Sequence, residues 1–216
     1  MKKIALMAIA ALSMVACQNE NAYTISGSVG VVGENDSVSL QLVEGRRLTD
    51  YQKVAVKEGK FEFKGVADSV RMAVVKLGDA YCQLFLEPGQ IRVDLNPGQN
   101  YALGTPNNNA FEAYATDMDA LREEYVAIAE SGKNPELSDE QKKDIQEQLD
   151  NLEAKHLQAI KNCIADNEGN DFGLFVLGSY YYYLSAQELA DVLDGYISAF
   201  PTNESLQRIK ANNDVV

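Results

Sequence analysis

Tyr81-Cys82-Gln83-Leu84-Phe85-Leu86 runs into Glu87-Pro88-Gly89 and then Ile91-Arg92-Val93-Asp94-Leu95. Apolar side chains recur at every second residue on both sides of a Pro-Gly turn, as expected for two strands that each bury one face. Pro before Gly suits type II turn geometry. Moving toward the N-terminus, Val70, Met72 and Val74 mark a strand ahead of Gly78-Asp79, and Phe61 and Phe63 mark one after the Glu58-Gly59 turn. Val54 and Val56, then Val38, Leu40 and Leu42, then Tyr23, Ile25 and Val29 complete the series. Seven short strands over residues 22–98 predict an antiparallel seven-stranded β-sandwich or open barrel.

Toward the C-terminus the period changes from two to three-four, so residues 105–212 read as a helical region and the fold class as α+β. Thr105-Pro106 is a candidate N-cap with Pro at the first helical position, ahead of the stripe Phe111, Tyr114, Met118, Leu121, Tyr125 and Ile128. Ser138-Asp139-Glu140-Gln141 and Ser185-Ala186-Gln187-Glu188 both read as capping boxes. The first opens a helix whose stripe is Ile145, Leu149, Leu152, His156, Ala159 and Cys163; the second opens a helix that Pro201 ends. A helical segment from Asp171 to Leu184 lies between them, and a short helix over 204–210 follows.

The first residues give an address. Lys2 and Lys3 precede an apolar run from Ile4 to Val15 that is too short to span a bilayer, and Met14-Val15-Ala16-Cys17 resembles a lipobox. Residues 1–17 are therefore expected to be a lipoprotein signal peptide with Cys17 as the lipidated residue, and residues 18–21 a tether. Acyl chains on Cys17 would hold the chain to a membrane without any spanning helix. Gln18 after the cysteine implies onward transport to the outer membrane.

Composition excludes more than it assigns. Removing Lys2 and Lys3 takes the formal net charge from -13 to -15, and such an acidic chain does not bind nucleic acid by counterion release. No phosphate-binding glycine loop, nucleophile elbow or metal-spaced His/Cys cluster occurs, so no catalytic residue, cofactor or metal site is assigned. Beyond Cys17, Cys82 and Cys163 are far apart, form no C-x-x-C pair and fall in phase with apolar neighbours. They read as small buried hydrophobes, with a bridge between them as the alternative. His156, on an apolar stripe with no nucleophile or acid beside it, reads as structural or interfacial. Tyr180, Tyr181, Tyr182 and Tyr183 form the candidate partner or ligand surface; on a regular helix two would face the core and two would face outward.

Several short stretches resemble a known group of proteins: Tyr23-Thr24-Ile25-Ser26-Gly27-Ser28-Val29, Lys57-Glu58-Gly59-Lys60-Phe61, Leu86-Glu87-Pro88-Gly89, Leu103-Gly104-Thr105-Pro106-Asn107-Asn108 and Phe172-Gly173-Leu174-Phe175. Together they are similar to the N-terminal domain of unknown function, with its connecting helices, of Gram-negative lipoprotein thiol-disulfide oxidoreductases of the TlpA/ResA (AhpC/TSA, thioredoxin-like) kind. The resemblance implies a thioredoxin-like domain after these helices, and no position here corresponds to its C-x-x-C. Three readings follow. The first is a non-catalytic accessory lipoprotein with an envelope protein partner, the second a glycan- or small-ligand-binding lipoprotein, and the third a fragment of an oxidoreductase lacking its thioredoxin-like domain.

Overall fold

A computed structural model describes residues 19–30, 36–96 and 99–213. The expected signal peptide and the lipidation site Cys17 lie outside the described residues. Among the described residues, eight strands precede five α-helices: β1 (Ala22–Val29), β2 (Ser37–Glu44), β3 (Arg47–Ala55), β4 (Lys60–Val66), β5 (Arg71–Leu77), β6 (Ala80–Leu86), β7 (Gly89–Asn96), β8 (Gln99–Leu103), α1 (Pro106–Ser131), α2 (Asp139–Asp166), α3 (Asp171–Tyr180), α4 (Ala186–Ala199) and α5 (Glu204–Asn213). The α+β class is as expected, and the strand arrangement differs from expectation in two respects.

First, there are eight strands in two separate four-stranded sheets, β4-β1-β7-β8 and β3-β2-β5-β6, so neither a seven-stranded sandwich nor an open barrel describes them. The additional strand, β8, pairs antiparallel with β7 through Arg92 to Leu103 and Asn96 to Gln99. Its sequence, QNYAL, carries little β propensity or alternation, and it forms because β7 offers it an open edge. Second, the β4-β1-β7-β8 sheet is mixed: β1 pairs antiparallel with β4 but parallel with β7, Ile25 opposite Ile91 and Val29 opposite Leu95. The long path from β1 to β7 permits parallel pairing, which a tight hairpin forbids.

The two sheets bury one core. Ile25, Phe63, Ile91 and Val93 come from one sheet, Leu40, Val75, Leu84 and Leu86 from the other, all essentially inaccessible to solvent. Cys82 lies in this core, in phase with Leu84 and Leu86. The other face of the second sheet is half covered. Phe85, with Val70 and Met72, packs into a second core with Ile160, Ile164, Phe172, Val176 and Tyr196 from the helices. Hence Leu84, Phe85 and Leu86 are all buried, the expected pattern for a strand covered on both faces. Layers therefore run sheet, sheet, helices.

Helix boundaries follow local chemistry. Ser138 accepts from the Gln141 N–H at 3.2 Å while Gln141 Oε1 accepts from the Ser138 N–H at 2.9 Å, and Ser185 with Glu188 repeats the box at 3.3 and 2.8 Å. Burial is concentrated where the helices meet the sheet. In α1 only Asn107 and Asn108 are fully buried, and in α2 none before Leu152. At about 1.5 Å per residue these helices are roughly 40 Å long, so their outer halves form a two-helix arm that no other described element covers.

Candidate functional site

The polar residues buried where the strands meet the helices come from two motifs singled out in the sequence. Glu87, in the turn between β6 and β7, is 5% exposed, and its Oε1 accepts the backbone N–H groups of Asn107 at 3.0 Å and Asn108 at 3.3 Å. Its Oε2 accepts from Asn107 Nδ2 at 2.7 Å. A carboxylate thus sits on the N-terminus of α1, where free N–H groups and the helix dipole favour negative charge. Thr105 occupies the N-cap position, but its side chain makes no cap bond; its hydroxyl accepts from Asn108 Nδ2 at 2.8 Å instead. The expected threonine cap is replaced by Glu87, which arrives from another element.

The three consecutive asparagines have distinct roles. Asn107 Oδ1 accepts from the Phe172 N–H at 2.8 Å and so ties down the first turn of α3. Asn108 pairs with the free edge of β6 as a strand residue would, accepting from the Phe85 N–H at 2.9 Å and donating to the Phe85 carbonyl at 2.8 Å. Asn109 Oδ1 accepts from the Gly104 N–H at 2.8 Å. Gly104 has φ +114°, and a Cβ there would collide with the Gln90 carbonyl oxygen; Gly89 has φ +122°, with Thr105 Cγ2 2.9 Å from where its Cβ would lie. Beside the network, burial first and the charge of Glu87 second push the Asp171 carboxyl above its ordinary pKa. Every buried side-chain polar atom of Glu87, Thr105, Asn107 and Asn108 has a structural partner, so the network joins sheet to helices and offers no open site.

The tyrosines behave differently from a regular helix. Only Tyr180 belongs to α3; Tyr181–Tyr183 form a 3₁₀ turn, so the run does not divide two inward and two outward. Tyr180 is half-buried, while Tyr182 is 63% exposed and Tyr183 49%. Their rings form a chain: Tyr180 stacks with Tyr183 at 6.2 Å, Tyr183 lies 4.5 Å from Tyr182, and Tyr182 meets Tyr181 edge-on at 6.0 Å.

Tyr180 also closes a cleft between α1 and α2. This cleft, of about 590 Å³, is lined by Tyr114, Met118, Leu121 and Leu152, with Tyr125 and His156 as further aromatic groups. Its charged members are Glu153 and the Asp119–Arg122 ion pair at 3.1 Å. Tyr114 connects the cleft to the second core, its ring 5.7 Å from Phe172 and Phe172 6.0 Å from Phe85. Burial, followed by the neighbouring Tyr180 hydroxyl, raises the Tyr114 pKa well above a free phenol. His156 is exposed on this cleft, so the apolar stripe on which the sequence placed it is not a buried one at that position.

Cys82 and Cys163 are both free and poorly placed for exchange. Cys82, 3% exposed, has its thiol pushed up to about 12 by burial and then by Glu112. Cys163 is half-buried against the helical core, and burial with Asp166 pushes it up to about 11 despite a bond from Asn167 that acts the other way. Among the described residues, no group of three or more His, Cys, Asp or Glu could hold a metal ion, and no helix is long and apolar enough to cross a membrane.

These features define a two-sheet β unit clamped to helices that carry an aromatic cleft. Residues 23–111 match a family described as "Domain of unknown function (DUF4369)". The matched stretch runs through all eight strands and the first turn of α1, so it contains Glu87 together with Asn107 and Asn108. Comparison with curated proteins and with solved structures gives no match.

Proposed function

We propose that the chain is a non-catalytic lipoprotein of the bacterial cell envelope, held through lipid on Cys17, outer-membrane by its Gln18, and acting as an accessory protein-interaction module. In this reading it is related to the N-terminal part of thiol-disulfide oxidoreductases and supplies binding rather than redox chemistry. The observation that carries it is the aromatic cleft of α1 and α2 continuing onto exposed Tyr181, Tyr182 and Tyr183. Tyrosines provide large contact faces at low entropic cost, and contiguous exposed apolar surface of this kind marks interaction sites. A thiol with its pKa near 11 or 12 contributes almost no nucleophilic thiolate at neutral pH. The cleft's volume of about 590 Å³ also favours a second reading, a small-ligand or glycan site.

The test is a photo-cross-linking residue at Tyr182, compared with one at Leu48, which is 51% exposed and lies on β3 rather than on a helix. The lipidated protein in its native envelope should give a discrete adduct from Tyr182 only. Equal labelling from both positions, or none from Tyr182, would refute the docking reading. A low-molecular-weight adduct at Tyr182 would favour the small-ligand reading.

A further inference from the structure

Resting on that reading, we infer that the α1–α2 aromatic cleft receives a basic, amphipathic helical segment of a partner protein. The first support is how charge is distributed. Residues 19–103 carry 9 Lys and Arg against 11 Asp and Glu, whereas residues 104–216 carry 8 against 21. Nearly all the acidity therefore belongs to the helical half, the half that bears the cleft. Such a field draws cationic segments toward it and disfavours acidic ones, including a second copy of this chain.

Local chemistry favours the same partner. Tyrosine faces attract Lys and Arg groups through the ring quadrupole, and Tyr125 (49% exposed), Tyr180 and Tyr183 present such faces around the cleft. The Glu153 carboxylate lines the cleft between them, while Arg122, the cation of the lining, is already paired with Asp119. Met118, Leu121 and Leu152 provide the apolar floor that leucine-type side chains need. Two features favour a helix over a small cation. The groove lies between two long helices, the arrangement into which a third helix packs its ridges. In addition, the exposed aromatic surface extends beyond the cleft from Tyr180 through Tyr183 to Tyr182 and Tyr181, more than a small molecule could cover.

The test uses the soluble mature chain and three synthetic helices: a Lys/Leu amphipathic peptide, its Glu/Leu counterpart with the same apolar face, and a Lys-rich helix whose leucines are out of phase. The chain has no Trp, so a single Trp in each peptide reports binding by fluorescence. The Lys/Leu helix should bind saturably, weaken on raising salt, and lose about tenfold or more in affinity with Tyr125→Ala or Tyr183→Ala, as for truncation of an aromatic anchor. Glu153→Gln should weaken it several-fold without loss of folding by circular dichroism, because its carboxylate lines the cleft surface. Equal binding by the Glu/Leu helix, or affinity unchanged in all three variants, would overturn the inference. So would complete displacement by millimolar tetramethylammonium, which would mark a small-cation site. A Tyr182 cross-link to a partner segment without Lys or Arg would overturn this inference while leaving the docking reading intact; no cross-link at Tyr182 defeats both.

Discussion

Replacing Glu87 by Gln keeps the size and shape of the side chain and changes only what its outer atoms donate or accept. In the native structure both carboxylate oxygens accept, from the Asn107 and Asn108 N–H groups at 3.0 and 3.3 Å and from Asn107 Nδ2 at 2.7 Å. Asn107 cannot turn over to accommodate a new donor, because its Oδ1 is held by the Phe172 N–H at 2.8 Å. A glutamine would therefore either aim its NH₂ at Asn107 Nδ2 or aim it at the two backbone N–H groups. Each choice leaves at least one buried donor facing another donor, at about 1–3 kcal/mol. Loss of the charge at the helix N-terminus adds about 0.3–2 kcal/mol, and the neutral group regains some of this through cheaper burial. The expected cost of Glu87→Gln is thus about 3 kcal/mol, or roughly 6–12 °C in Tm for a chain of this length. Urea unfolding of the mature chain followed by circular dichroism reads this directly. A change within about 0.5 kcal/mol would mean that Glu87 does not hold the helices to the sheet, and the account of the network would be wrong.

Four further outcomes are expected. Iodoacetamide should modify Cys163 and Cys82 slowly at pH 8 and faster by about tenfold per pH unit up to pH 11, Cys163 first, because the thiolate reacts and the folded thiols ionise near 11 and 12; a rate that levels off near pH 8.5 would show an ordinary exposed thiol. Since the raised pKa values make the folded state hold these protons longer than the unfolded chain does, the stability they contribute is complete below about pH 9 and is lost as pH rises from 9 toward 12, which alkaline urea titrations read. Cys17→Ala should release the protein from membranes in fractionation, and a variant that still sediments with them would defeat the lipid-anchor proposal. The mature chain should add nothing to the rate at which dithiothreitol reduces insulin, and turnover that vanishes in Cys82→Ala or Cys163→Ala would expose a catalytic cysteine.

Much of the fold was legible because its signals are local. Alternation of Tyr23 with Ile25 and of Val38, Leu40 and Leu42 marks strands whose inner face is buried, and the boxes at Ser138 and Ser185 satisfy the helix N-termini they precede. What escaped was relational. The parallel pairing of β1 with β7 depends on which strand occupies the edge beside Ile25, and no residue of either strand encodes that choice by itself. Leu84-Phe85-Leu86 did carry a readable sign, since three consecutive apolar residues in an alternating strand imply a second covering layer, here the helices around Phe172. Strand β8 gave no such sign, because an edge strand of Gln, Asn, Tyr, Ala and Leu owes its form to its neighbour.

The same distinction separates the polar network around Glu87 from the aromatic cleft. Glu87 appeared in the sequence as a turn residue before proline and Asn107 and Asn108 only within a stretch of resemblance, yet the bonds of Glu87 and Asn107–Asn109 show a closed arrangement in which each side chain meets a backbone group left free by a helix end or a sheet edge. A closed network of this kind specifies how layers join and has no capacity left for a ligand. The cleft is the reverse case. Its tyrosines were visible as a run of four, but their number on the surface follows from the helix tightening to a 3₁₀ turn after Tyr180, which a period of 3.6 does not anticipate. Tyr114, Tyr125 and His156 reach the same cleft from two other helices, and nothing in their own segments links them to Tyr180. Aromatic faces left open beside the most acidic part of the chain are costly to keep exposed unless something covers them, and that cost, more than the count of tyrosines, distinguishes a docking surface from a helix end.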